Sequence, residues 1–397
     1  MGKRFSIFFS ALFITTALPY LNFLLPFIPG QLLGFNLTGW AWMIMLLITL
    51  ILLYDTTNIV FPVYFWLPWI LYLIISLITD FSFLGFQLSL QYILPILVGV
   101  VASGFNYSEY NISWIFKWFK RLCVAIYLLI VIGLFFRRGM TPSPSATPMF
   151  FSVMFSLLIA FYVFTKELKY LLFASLLFLV SVIGLRRMGI AATAAIFVFH
   201  FAEINLRKKT LYLLIAGFVL FLIFNSKSFQ EDTFYGGHGE FSDLSVNYYE
   251  NTKLKSSGRQ SWRIALEPGL RKAPLWGNGP RADNIPLTKI TGMRYGEAHN
   301  DYLAVRYNYG YFGLGLLLSG FLLTFISLYR VFRKCFSNDL LWLITSSTLS
   351  LFVGFLIFMY SDNILKYTIF FPNYFFVLIG IVYALRRDER NTELKSF

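Results

Sequence analysis

Long apolar runs separated by short polar segments recur along nearly the whole chain. They are Phe5–Ile28, Trp40–Tyr54, Ile59–Thr79, Leu88–Ser103, Leu122–Phe136, Met149–Thr165, Tyr170–Leu185, Gly189–Ile204, Leu211–Phe224, Tyr302–Leu328, Leu340–Tyr360 and Ile369–Leu385. Each reads as a helix in lipid, which predicts about twelve membrane spans. Several runs fall short of the ~20 residues an untilted spanning helix needs, so their ends extend into polar flanks or one or two are re-entrant. Lys3 and Arg4 precede the first run, as in a signal peptide. That run exceeds the ~7–15 residues of a signal-peptide core and no small-x-small site follows, so it is expected to be an uncleaved first helix.

One connection departs from this pattern. Residues 225–300 form a long polar stretch, whereas every other connection is short, and a loop of that size is usually functional. The expected fold is therefore an all-α polytopic membrane protein. It divides into a bundle of about nine helices over 1–224, an outer loop with short helices over 225–300, and about three helices over 301–397.

Composition agrees with lipid as the main solvent: 58% of residues are hydrophobic and 13% charged, against roughly 25% charged in soluble domains. The formal charge of +14 would suit nucleic acid, but topology accounts for most of it. With the N-terminus cytoplasmic, the inner loops hold Lys3, Arg4, Lys117, Lys120, Arg121, Lys166, Lys169, Arg207, Lys208, Lys209, Arg330, Arg333, Lys334, Arg386, Arg387, Arg390 and Lys395. The short outer loops hold only Arg137, Arg138, Arg186, Arg187 and Lys366. The positive-inside bias thus predicts cytoplasmic N- and C-termini, a long loop outside the cytoplasm, and no nucleic-acid partner. Cys123 and Cys335 then fall near cytoplasmic helix ends, where disulfides do not persist, and read as packing residues.

The long stretch is itself divided. Up to Thr252, Lys227 stands against Glu231, Asp232, Glu240, Asp243 and Glu250, whereas from Lys253 to Ala298 basic residues outnumber Glu267, Asp283 and Glu297. The second half therefore presents a basic surface to an anion. Within it, Ser256 or Ser257 can cap a helix through Arg259–Glu267, which Pro268 and Gly269 bend or end. Arg259 and Arg263 share one face of that helix, and Trp262 and Leu266 the next. This predicts an interfacial helix with its aromatic side toward lipid and its arginines toward a charged headgroup.

Candidate chemistry begins with arginines that orientation does not explain. Arg186 and Arg187 lie in a tight outer turn, where they either touch lipid phosphate or contact an anionic ligand. Arg137 and Arg138 raise the same question. Arg259 has no evident local acid, while Arg263 can pair with Glu267, so Arg259 is the expected ligand contact and Arg263 a supporting one. A planar guanidinium suits diphosphate because it donates two parallel hydrogen bonds and keeps its charge.

Of the three histidines, His200 lies in an apolar run and reads as core, and His238 sits in the acidic half of the loop. His299 stands where the loop re-enters the membrane, at a helix start and on the side of the arginines. Both surroundings disfavour imidazolium, leaving a ring able to take a proton from a hydroxyl; the alternative is a helix-capping or solvated histidine. Gly277-Asn-Gly279-Pro lacks the third glycine of a dinucleotide loop and reads as a turn. The histidines have no Cys or carboxylate at ligand spacing, so neither a metal nor another cofactor is expected.

The run Ser257-Gly-Arg-Gln-Ser-Trp262, then Ala273-Pro-Leu-Trp-Gly-Asn-Gly279, Ala298-His-Asn-Asp-Tyr-Leu303 and Tyr309-Gly-Tyr-Phe-Gly313 resembles the signature of the O-antigen ligase and Wzy polymerase superfamily. The layout of helices and one long C-terminal periplasmic loop is similar as well. The resemblance implies a metal-independent, inverting glycosyltransferase of the bacterial inner membrane, with a periplasmic loop and an undecaprenyl-diphosphate-linked glycan as donor. Carried onto this chain, Arg259 and Arg186 or Arg187 hold the diphosphate, His299 takes the acceptor proton, and Asn300 positions the ring. The acceptor is lipid A-core for a ligase or a growing glycan for a polymerase; a lipid-linked sugar transporter is a third reading. Many ligases carry a second histidine two residues before the catalytic one. Here that position is Glu297, which favours the polymerase or assigns Glu297 to orienting His299.

Overall fold

The computed structural model describes residues 2–21, 31–32, 35–136, 146–183, 187–200, 206–240, 243, 259–292, 296–335 and 338–395. Its helices are α1 (Lys3–Ala17), α2 (Leu37–Tyr54), α3 (Leu67–Thr79), α4 (Phe83–Ser103), α5 (Glu109–Phe136), α6 (Thr147–Thr165), α7 (Leu168–Ile183) and α8 (Arg187–His200). These are followed by α9 (Leu206–Phe224), α10 (Lys227–Thr233), α11 (Arg259–Lys272), α12 (Asn284–Thr291), α13 (Asp301–Phe332), α14 (Asp339–Ser361) and α15 (Pro372–Lys395). The one strand pairing among the described residues joins Gln31–Leu32 to Phe35–Asn36. The protein is an all-α membrane protein.

Every predicted apolar run overlaps one of these helices. Among the described residues, five helices (α2, α4, α6, α13 and α14) are long and apolar enough to cross a bilayer, and α3, α7 and α8 are shorter apolar helices. The expected count of twelve is not confirmed: among the described residues, length and composition together single out five.

Polar residues at the helix starts fix where the chain turns. Asn36, Ser82, Asn300 and Asn338 each accept a hydrogen bond from the backbone N–H three residues on, satisfying a donor that the first helical turn leaves open. Close packing at the centre rests on small residues. A Cβ on Gly99 would lie 2.9 Å from Phe376 O, and one on Gly380 would lie 2.5 Å from Gly99 O, so α4 and α15 touch backbone to backbone. His200 is buried as expected, with Nε2 3.0 Å from Ser156 Oγ and 2.8 Å from Ser350 Oγ, joining α8 to α6 and α14. Cys123 and Cys335 are buried free thiols.

Two arginines mark one face of the bundle. Arg4 donates to Asp55 O and Leu52 O, and Arg387 donates to Asn58 O, Ser103 O and Phe105 O. The start of α1, the ends of α2 and α4 and the later part of α15 therefore share that face. The turns at 80–82 and 362–371, which end α3 and α14, lie at the other.

Two elements differ from their sequence expectation. α13 is not one continuous helix, because Gly310 has φ 67° and ψ −173°, which breaks the run Tyr302–Leu328. The chain at 274–279 fills the gap: Asn278 N donates to Tyr307 O, Gly279 N to Asn308 O, Tyr311 N to Pro274 O and Phe312 N to Leu275 O. Glycine is required on both sides of this contact, since a Cβ on Gly310 would lie 2.1 Å from Leu275 O and one on Gly277 2.3 Å from Asn308 O. α11, in turn, runs on through Pro268 and Gly269 to Lys272. Pro268 is the tenth residue of α11, where it removes an internal hydrogen bond, and packing of Leu266 and Leu270 against Leu287, Ala298, Ala304 and Tyr307 supports the helix through that position.

Candidate functional site

The end of the long polar stretch and the turn after α14 build one site. Asn300 caps α13 by accepting from Leu303 N at 2.9 Å. That cap orients the backbone leading into the helix, so the preceding residue, His299, projects toward the α14–α15 turn. There His299 Nδ1 lies 2.9 Å from Asp362 Oδ1. A carboxylate oxygen only accepts, so in the neutral ring the proton is on Nδ1 and the lone pair on Nε2. The His299 side chain is 40% exposed and that of Asp362 21%, so the carboxylate is the inner partner and the imidazole the outer one. Asp362 Oδ1 also accepts from Asn363 N at 2.9 Å, which holds the carboxylate in place.

Glu297 is bonded to the residues around the imidazole. Its Oε1 lies 2.5 Å from Arg281 Nη2 and 3.6 Å from Lys366 Nζ, and its Oε2 accepts from Asn363 Nδ2 at 3.1 Å. Burial alone would raise the Glu297 pKa, but Lys366, Arg281 and His299 outweigh it and bring it down to about 2. Glu297 is thus a fixed anion that holds the segment carrying Asp362. Asp301, fully buried, adds another tie by accepting from Leu365 N at 3.0 Å.

Arg281 is the hub of this cluster. It is 8% exposed, its Nη1 lies 3.6 Å from Asp283 Oδ2, and its backbone is left-handed at φ 67°. A non-glycine residue there costs about 1–3 kcal/mol, a strain that surrounding contacts must offset. Asp283 is held in turn by Asn308, which donates to Asp283 Oδ1 from Nδ2 and accepts from Asp283 N. The Arg281 pKa rises: burial opposes its charge, but Asp283 and Glu297 favour it more.

α11 lies against this cluster with its apolar face inward. The Trp262 ring centroid is 5.1 Å from that of His299, at 42° between planes. Leu266 is fully buried and Ile264, on another side, is exposed. The expectation that Trp262 and Leu266 face lipid is therefore corrected: they cover the histidine and a small protein core. Glu267 pairs with Arg271 at 3.0 Å.

Of the predicted arginines, Arg259 begins α11, one turn from Trp262; its side chain, Arg186, the Ser256 and Ser257 caps, and Arg137 and Arg138 lie outside the described residues. Arg187 begins α8, and its Nε approaches Asp232 Oδ2 at 4.0 Å, so the start of α8 meets the acidic first half of the long stretch. Its depth follows from helix register. His200 meets Ser350, and a Cβ on Gly354 would lie 2.7 Å from Ile196 Cδ1, so α8 and α14 are antiparallel. Continued upward, that register brings Arg187 level with Asn363. It lies about two and a half turns from Ile196 and hence on the face of α8 turned away from α14.

Sequence reasoning overlooked Asp362, Asn363, Arg281 and Asp283. The available signal was the polar triplet Ser361-Asp-Asn363 between two apolar runs on the side where His299 re-enters. Taken together, the arrangement offers a hydrogen-bonded imidazole with a free nitrogen, a cover of tryptophan, and a rigid ionic base beneath. It can take a proton from a hydroxyl held beside Nε2.

Residues 171–318 match the family model Wzy_C, O-Antigen ligase. The match bears out the resemblance to the O-antigen ligase and Wzy superfamily and supports a function of the ligase or polymerase type. It runs from α7 into α13 and contains Arg187, Arg259 and His299, while Asp362 lies beyond it. No curated protein matches the chain.

Proposed function

We propose that this protein, which resembles O-antigen ligases over residues 171–318, is an inverting, metal-independent glycosyltransferase that moves an undecaprenyl-diphosphate-linked polysaccharide onto lipid A-core at the periplasmic face of the inner membrane. The observation that carries the reading is the His299–Asp362 pair, with Nε2 free and Trp262 alongside. His299 Nε2 takes the proton from the acceptor hydroxyl as its oxygen attacks the anomeric carbon. The bond from that carbon to the diphosphate oxygen breaks on the opposite face, which inverts the configuration. Arg259 and one of Arg186 and Arg187 hold the diphosphate and stabilise the negative charge it carries away. The N- and C-termini are then cytoplasmic, in keeping with Arg4 and Arg387 at one face and His299 at the other.

His299→Ala tests the base assignment. Transfer from a lipid-linked donor should be nearly abolished while protein level and donor binding persist, and turnover like wild type would sink the assignment. The transporter reading predicts instead that neither wild type nor His299→Ala transfers sugar and that both move the lipid alike.

The polymerase reading shares the donor chemistry and differs in the acceptor, and Glu297 in place of a second histidine favours it. A deletion strain separates the two. Polymer on undecaprenyl lipid but absent from lipid A supports the ligase; single repeat units alone support the polymerase.

A further inference from the structure

The turn that fills the break in α13 combines exposed apolar side chains with occupied carbonyls. Leu275 is 60% exposed and Trp276 63% exposed. Yet the three carbonyls at this tip are all taken: Pro274 O accepts from Tyr311 N, Leu275 O from Phe312 N, and Trp276 O from the Tyr72 hydroxyl at 2.8 Å. A loop tip in water has no need of this, since solvent satisfies its carbonyls. Beside the hydrocarbon, where little water is at hand, a carbonyl of non-helical backbone needs a partner within the protein, and each of these three has one.

Depth and surroundings agree. Tyr72 lies within α3, and from it to Asp80, which follows the helix, the chain rises about 12 Å, so the tip sits well below the polar end of that helix. The Trp276 ring packs on Phe312 at 4.9 Å between centroids. Phe312 opens an exposed apolar stripe on α13 that continues through Leu322, Leu323 and Ile326 to Tyr329. From Phe312 to Tyr329 the helix rises about 26 Å, close to the ~30 Å of a bilayer core. Leu275 and Trp276 thus extend a surface already facing lipid. Arg306, whose guanidinium lies 4.3 Å over the Tyr311 ring, supplies a cation beside it at the end nearer His299.

We propose that Pro274–Trp276 is a re-entrant tip seated among the lipid acyl chains of the leaflet on the His299 side. Contact with the membrane, expected at Trp262, is made here instead. The same turn leads through Asn278 to Arg281, so the tip sets the height of the ionic cluster, and with it His299, relative to the headgroups.

The test places a nitroxide at Leu275→Cys in a chain carrying Cys123→Ala and Cys335→Ala, in nanodiscs of phosphatidylethanolamine and phosphatidylglycerol, with Glu240→Cys as the control. Collisions with oxygen, which concentrates in lipid, should exceed those with a water-soluble nickel chelate at 275, and the order should reverse at 240. Nickel collisions equal to or above oxygen at 275 overturn the proposal by placing the tip in water. Exclusion of both reagents also overturns it, because protein then covers the tip; spin–spin broadening would identify that cover as a second copy. Trp276→Cys provides an independent label position. The readout is separate from glycosyl transfer, so it stands whether or not the enzymatic reading does.

Discussion

His299 and Asp362, separated by 63 positions in sequence, lie 2.9 Å apart through Nδ1 and Oδ1, with the carboxylate as the more buried partner. The carboxylate therefore selects the tautomer that leaves Nε2 able to accept a proton.

Asp362→Asn should uncouple geometry from chemistry. The amide can present a donor to Nδ1 and reverse the tautomer, so transfer should fall about 100-fold or more with donor binding retained. Steady-state transfer with a lipid-linked donor checks this. Wild-type turnover in the variant would remove Asp362 from the mechanism.

Arg281→Met should loosen the site from below. It leaves Glu297 with Lys366 and Asn363 and leaves Asp283 buried without its cation. Breaking a buried ion pair by removing one partner costs about 3–5 kcal/mol. Thermal unfolding in detergent should show a much lower midpoint than for Arg271→Met, whose pair with Glu267 is exposed and worth about 0–1 kcal/mol. Equal midpoints would contradict the hub role.

The pH dependence of stability should carry the signature of Glu297. Its carboxyl titrates at 4.5 ordinarily and about 2 in the fold, so its stabilising contribution is complete above 4.5 and fades as pH falls toward 2. Glu297→Gln should lower the midpoint at neutral pH and flatten the acid slope. Unchanged acid sensitivity in the variant would assign that slope to other carboxylates.

Asn300→Ala should cost about 1 kcal/mol, the usual loss for an N-cap, and also reduce transfer because α13 no longer fixes the approach to His299. Asn300→Asp, which can still accept from Leu303 N, should recover the stability. A stability loss in both variants alike would argue against the capping role.

Arg259→Ala is expected to weaken donor binding, and Arg263→Ala to do so less. Binding of an undecaprenyl-diphosphate glycan in nanodiscs measures both, and unchanged affinity in Arg259→Ala would move the diphosphate elsewhere.

Much of the protein was legible in the order of its residues. Apolar runs dictate helices in lipid because a backbone there must bond to itself, and each predicted run overlaps one. His299 could be singled out because, of three histidines, it is the one at the start of a helix beside the basic stretch. Local rules could not say which way α11 faces. The 3.6-residue period gives the same stripe whether Trp262 meets lipid or protein, and only the arrival of Leu287, Ala298 and Ala304 decided for protein. Nor could they pair His299 with Asp362, Glu297 with Arg281, or the 274–279 turn with the break at Gly310. Those contacts join segments distant in sequence, and their partners are chosen by how helices pack and which buried charges must be balanced. The sequence determined a helical membrane protein with a histidine at the re-entry of its long loop; the tertiary structure decided what holds that histidine.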